Sequence, residues 1–113
     1  MGAFDRFWKK EPLTKKTIEI DSDIYDKITE LSNNKYDASA SKLINAAIEE
    51  LIKTEEIKIY TKQKGSIQIK HSLYVRESLI IGLDKLKEKY ELSIYKLVDI
   101  ALRNALSELN SKK

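Results

Sequence analysis

Apolar residues along this 113-residue chain follow two periods, and the same succession of periods occurs twice. Lys15-Lys16-Thr17-Ile18-Glu19-Ile20-Asp21 alternates polar and apolar residues, which predicts a short strand. Ile18 and Ile20 share one of its faces, and Lys15, Thr17 and Glu19 share the other. Asp21, Ser22 and Asp23 read as N-cap and first-turn residues. Ile24, Ile28 and Leu31 then mark one face of a helix. The polar run Ser32-Asn33-Asn34-Lys35-Tyr36-Asp37 ends it. Ser39 is the natural cap of a second helix, expected to reach about Thr54, with a broad apolar stripe of Leu43, Ile44, Ala47, Ile48, Leu51 and Ile52.

The second succession has the same grammar. Ser72-Leu73-Tyr74-Val75 predicts a strand with Leu73 and Val75 inward. Leu79, Leu83 and Leu86 mark a first helix 55 residues after Ile24, Ile28 and Leu31. Ser93 caps a second helix that runs to about Leu109. Its Leu97, Val98, Ala101, Leu102, Ala105 and Leu106 stand 54 residues after the stripe of the first copy. The change of offset places one extra residue between the helices of the first copy, a turn-length difference that loops tolerate. A strand followed by two helices is therefore duplicated within the chain.

A lone short strand is unstable in water and must pair. The economical arrangement pairs strand 15–20 antiparallel with strand 70–75 and buries Ile18, Ile20, Leu73 and Val75 over four helices. The expected fold is mainly α with a short two-stranded antiparallel ribbon, the two motifs sharing one core. Two independent halves of roughly 50 residues would each be marginal alone.

The expected segments are an arm (1–13), a first motif (14–56), a connector (57–69) and a second motif (70–113). The arm holds both Phe residues, the only Trp and the only Pro of the chain. Two readings of Phe4, Phe7 and Trp8 stand side by side: an arm folding back on the body, or a docking arm for another subunit. In the connector, residues 56–60 and 66–70 alternate around a polar turn containing Gly65. That pattern reads as a β-hairpin, with a disordered basic linker as the alternative.

Charge changes the picture through its distribution. Net charge is +3 and the isoelectric point is near 9.0. Residues 14–56 carry six Lys against ten acids, 57–65 carry three Lys and no acid, and 66–113 carry nine Lys or Arg against six acids. Mild basicity is compatible with a polyanionic partner without requiring one. The chain has no cysteine, which excludes disulfides, zinc fingers and thiol catalysis. No apolar run approaches the roughly 20 residues of a membrane span, and no signal-peptide core is evident, so a cytoplasmic location is expected. His71 is the single histidine and reads as a packed or solvated side chain, since alone it makes neither a triad nor a metal site. Glu49-Glu50 and Glu55-Glu56 read as solvated helix surface. The chain has no Gly-rich phosphate loop. No enzyme activity, cofactor, metal or small-molecule substrate is expected.

The ribbon's outer face carries the chemistry. A two-stranded ribbon fits the major groove of B-DNA, where side chains reach base edges. Ile-Glu-Ile-Asp-Ser-Asp-Ile with Ser-Ala-Ser-Lys-Leu-Ile, and Leu-Tyr-Val-Arg-Glu-Ser-Leu with Leu-Ser-Ile-Tyr-Lys-Leu-Val, resemble the ribbon-helix-helix family of DNA-binding proteins, of the Arc, MetJ and CopG type. The resemblance covers about residues 15–54 and 70–109. Ordinary members carry one copy and dimerise; two tandem ribbon-helix-helix motifs in one chain resemble rarer members in plasmid-transfer proteins and regulators of archaeal viruses.

The resemblance implies that Lys15, Thr17, Glu19, Lys70, Ser72 and Tyr74 contact bases. It further implies that the start of each second helix holds a phosphate: Ser39, Ala40, Ser41 and Lys42 in one copy, Ser93, Ile94, Tyr95 and Lys96 in the other. Free N–H groups and the helix dipole suit that role, and Ser39 and Ser93 are helix caps in any case. Glu19 departs from the neutral or basic residues usual at its place, which suggests that the first strand binds more weakly. The expected function is a sequence-specific double-stranded-DNA-binding transcriptional regulator that self-associates on DNA. A plasmid partition, transfer or antitoxin protein, and a helical interaction module without DNA binding, are the alternatives.

Overall fold

The computed structural model describes residues 12–34, 39–58, 60, 65 and 67–111. Six elements follow one another: β1 (Leu13–Asp21), α1 (Ser22–Asn34), α2 (Ala40–Thr54), β2 (Gln68–Arg76), α3 (Glu77–Tyr90) and α4 (Ile94–Ser111). The fold is mainly helical with a two-stranded antiparallel sheet, β1 against β2. Thr17 lies opposite Ser72 at the centre of the register. The two residues are also 55 apart, the offset of the sequence repeat, so an approximate dyad of the ribbon passes between them. Flanking hydrogen bonds obey the same relation. Ser22 N donates to Ile67 O (2.8 Å) and Glu77 N donates to Pro12 O (3.1 Å), each tying a helix start to the opposite strand.

The pleat decides what the ribbon buries. Ile18, Ile20, Leu73 and Val75 point down and are excluded from solvent. Beneath them lie Ile44, Ala47, Ile48 and Leu51 of α2 and Leu97, Val98, Ala101 and Leu102 of α4, with Ile24 and Ile28, and Leu79, Leu83 and Leu86, closing the sides. Leu31, Leu43, Ile52, Ala105 and Leu106 are half-buried at the margin. The two second helices pack against each other, and each also packs beneath the other copy's strand, α4 under β1 and α2 under β2. Neither β-α-α segment encloses a core alone. Gly82 lets α3 approach α2: a Cβ there would stand 2.6 Å from Ile52 Cδ1.

Element ends follow local chemistry. Ser39 Oγ accepts from Lys42 N (3.2 Å) and Ser93 Oγ accepts from Lys96 N (3.1 Å), so both serines cap as expected. Glu55 and Glu91 close α2 and α3 in the left-handed region, their N–H groups returning to Leu51 O and Lys87 O. Helix α1 runs on through Ser32–Asn34, beyond its expected break, because Ser32 Oγ donates to Thr29 O (2.8 Å) and its hydroxyl is satisfied inside the helix.

The expected hairpin in the connector is replaced by a longer ribbon. Gln68, Ile69 and Lys70 belong to β2 and pair with Asp21, Ile20 and Glu19 of β1. Glu56, Ile57 and Lys58 are not in a strand. Ile57 and Tyr60 pack on the core, Asn104 Nδ2 donates to Glu56 O (2.8 Å) and the Tyr60 hydroxyl bonds Asn104 Oδ1. The start of the connector is therefore fastened to α4. Gly65 takes a φ of +84°, a turn conformation natural to glycine. The rest of the expected turn, the aromatic segment with Phe4, Phe7 and Trp8, and the Lys35–Tyr36–Asp37 turn lie outside the described residues. β1 begins at Leu13, so the arm ends before Pro12, whose carbonyl is already part of the ribbon.

Candidate nucleic-acid interface

Lys15, Thr17, Glu19, Lys70, Ser72 and Tyr74 form one exposed face. Alternation along each strand puts them opposite the buried set, and the antiparallel register sets them in three rows: Lys15 with Tyr74, Thr17 with Ser72, Glu19 with Lys70. Tyr74 is 55% exposed, so its ring and hydroxyl face solvent. The register also sets charges of the two strands side by side. Each end of the ribbon takes one residue from each strand, so the acidic Glu19 offsets Lys70 of the other strand. Lys15 and Tyr74 keep an uncompensated cation at their end. The two ends therefore differ by one unit of charge, as do the outer faces of the two strands.

The starts of α2 and α4 flank those ends. Asn45 Nδ2 donates to Ser41 O (2.7 Å) and Tyr74 O (2.9 Å), which fixes the first turn of α2 beside the Lys15–Tyr74 end. Tyr95 in the first turn of α4 donates its hydroxyl to Asp21 Oδ1 (2.7 Å), beside the Glu19–Lys70 end. Ser39, Lys42, Ser93 and Lys96 are exposed, while Ala40, Ser41, Ile94 and Tyr95 are half-buried. The Tyr95 side chain is thus bound to a carboxylate inside the fold, while its backbone remains in the first turn of α4. Its aromatic ring is long enough to reach past the helix start to the strand.

Polar residues that sequence reasoning passed over hold this scaffold. Asp21, read as a helix-start residue, is the last residue of β1, and its carboxylate is fully excluded from solvent. Arg103 Nη2 donates to Asp21 Oδ2 (2.7 Å) and Arg103 Nε to Asp99 Oδ2 (3.0 Å), so one guanidinium serves two carboxylates. Burial works against the charged guanidinium, and Asp99 and Asp21 more than offset it, leaving its pKa above the ordinary value. In the other half, Arg76 N donates to Asn45 Oδ1 (3.1 Å) and Arg76 Nη2 meets Glu49 Oε2 at 3.4 Å. Glu49 and Glu55 are accordingly structural rather than merely solvated. Glu55 accepts from Lys89 (2.6 Å) and Tyr90 (2.8 Å), contacts that lower its pKa.

His71 stacks on Tyr25, with ring centroids 3.7 Å apart and planes 10° apart, and its Nε2 is buried without a partner among the described residues. Desolvation lowers its pKa below the ordinary 6.5. The folded state then binds fewer protons than the unfolded state at mildly acid pH. The stability this histidine allows is therefore complete above 6.5 and is lost as pH falls through that value toward the depressed folded pKa. His71→Phe keeps a ring against Tyr25 and should flatten the decline. Denaturant unfolding at about pH 7.5 and about pH 5.5 measures it. An equal decline in both proteins would remove His71 as the cause.

Among the described residues no cluster of His, Asp or Glu could hold a metal ion, and no helix is long and apolar enough to cross a membrane. A groove of about 680 Å³ lies between the C-terminal parts of α2 and α4, lined by Leu43, Ala47, Leu51, Ala105 and Leu106 with Glu50 and Glu108 at its rim. No protein-family model, curated protein or solved structure matches this chain.

Proposed function

We propose that this chain is a sequence-specific double-stranded-DNA-binding regulator, built from two tandem ribbon-helix-helix motifs that supply both strands of one major-groove-reading ribbon. The observation that carries the reading is the division of the ribbon. Its core-directed apolar side chains Ile18, Ile20, Leu73 and Val75 lie against the helices, while six hydrogen-bonding side chains share a solvent-facing surface. Lysine donates to guanine O6 and N7, hydroxyls donate or accept, and a tyrosine ring meets a thymine methyl group. Lys42 and Lys96 beside two helix N-termini supply anion-binding groups next to the ends of the ribbon.

Lys15 and Lys70 are related by the dyad, as are Glu19 and Tyr74. The preferred site should then present similar bases to the two lysines and differ at the two remaining positions. The half beneath Lys15 and Tyr74 contributes more of the affinity. A +3 chain neutralises few phosphates, so several copies side by side belong to this reading, with the aromatic segment upstream of Pro12 as their contact.

The test is a mobility-shift titration at several salt concentrations, followed by footprinting on the promoter of its own gene. Binding that weakens with salt and protects a defined site is expected. No shift at low salt would leave a helical interaction module as the better reading. Glu19→Gln removes a like charge facing phosphates and should tighten binding roughly fivefold, the equivalent of about 1 kcal/mol for one charge at short range in a water-like dielectric. Weaker binding by this variant would mean that Glu19 accepts a hydrogen bond from a base, as a carboxylate does from cytosine N4.

A further inference from the structure

Two ion pairs occupy equivalent places in the two halves, with their charges exchanged. Asp21 ends β1 and Arg76 ends β2, at the strand offset of 55; Glu49 of α2 and Arg103 of α4 correspond at the helix offset of 54. Asp21 meets Arg103 at 2.7 Å, and Arg76 meets Glu49 at 3.4 Å. Both pairs join one half to the other, because each second helix lies under the opposite strand. We propose that these four residues are a partner-selecting code. A first half accepts only a second half, so copies of this chain cannot assemble through like halves.

Consider what pairing of like halves would do. Two first halves would set Asp21 against Glu49, with Asn45 where Asp99 now stands. A carboxylate that is 0% exposed would lose its guanidinium and face a second carboxylate. Two second halves would set Arg76 against Arg103, with Asp99 able to balance one of them. The penalty is heavier for first halves, because removing the partner of a buried charge costs far more than weakening an exposed pair. Any assembly that joins second halves leaves first halves over, so the code needs only one strongly forbidden pair. Residue choice agrees: the chain has 18 Lys and three Arg, and two of the three Arg are at these positions. A planar guanidinium serves Asp21 and Asp99 together, which a lysine ammonium does less well. The code leaves open whether the accepted half belongs to the same chain. The first half's Glu56 and Tyr60 on Asn104 of α4 add a further contact between the two halves.

The experiment exploits the dyad. Thr17→Cys introduces the only thiol of the chain, at a position that faces Ser72 in the native pairing. Pairing of two first halves would instead set the introduced thiols of two chains opposite each other. The full chain carrying Thr17→Cys is oxidised in three charge backgrounds: unchanged, Glu49→Arg with Arg103→Glu, and these two together with Asp21→Arg and Arg76→Asp. The second background keeps the net charge but makes like halves complementary; the third restores the native preference with every sign reversed. Disulfide-linked dimers should be rare in the first, rise by about tenfold or more in the second and fall back in the third. Equal cross-linking in all three backgrounds would overturn the proposal. So would an exchanged variant that does not cross-link, including one that merely unfolds. A third background that remains as cross-linked as the second would overturn it too.

Discussion

Arg103→Ala should lower the melting temperature by on the order of 15–20 °C, whereas Arg76→Ala, at the equivalent place in the other half, should lower it by only a few degrees. The two arginines occupy matching positions, yet their surroundings differ. Arg103 is 12% exposed and its partner Asp21 is 0% exposed; Arg76 and Glu49 are 33% and 37% exposed. Truncating Arg103 strands two carboxylates, Asp21 and Asp99, inside the protein, and an uncompensated buried charge costs about 3–5 kcal/mol. That is a large share of the roughly 5–15 kcal/mol holding a domain of this size together. Truncating Arg76 leaves Glu49 within reach of water, where such a pair contributes about 0–1 kcal/mol. The Arg76 backbone N–H keeps its bond to Asn45 Oδ1 in either case. Thermal unfolding of the two variants side by side checks this. Similar losses for both would mean that the Asp21–Arg103 pair contributes no more than its exposed counterpart.

Lys70→Ala combined with Ser72→Ala should weaken specific DNA binding by about tenfold or more while leaving the melting temperature nearly unchanged. Both side chains are exposed and form no hydrogen bond or ion pair among the described contacts, so their removal touches little packing and should stay within about 0.5 kcal/mol of the parent stability. A good base contact is worth roughly 1–3 kcal/mol of discrimination, and two lost together account for the expected factor. The loss should also relax sequence preference, because these residues face bases in the proposed complex. Lys42→Ala and Lys96→Ala are the contrast: phosphate contacts carry little sequence information, so these should weaken binding to all sequences alike and reduce its salt dependence. Unchanged affinity in the ribbon variant, with an unchanged melting temperature, would move the reading surface away from the ribbon.

Both results depend on residues whose roles differ in how far the chain announces them. Alternation from Lys15 to Asp21 and from Ser72 to Val75, the helical stripes, and Ser39 and Ser93 as caps are properties of neighbouring residues, and with the repeat offsets of 55 and 54 they were legible along the chain. So was the outward set of six, since a pleated strand turns successive side chains to opposite faces whatever it packs on. The allegiance of Gln68–Lys70 was not, because an alternating tripeptide pairs as well with a hairpin partner as with β1. Asp21 carries the same signal as a capping residue, and only the passage of α4 beneath β1 brings Arg103 and Tyr95 to it, 82 and 74 positions along the chain. Asn45 holds β2 from 29 residues away, and Glu49 finds Arg76 only because α2 runs under the opposite strand. These contacts arise only on packing, because a buried polar group must take whatever partner packing brings within reach, and local periodicity specifies burial without specifying that partner.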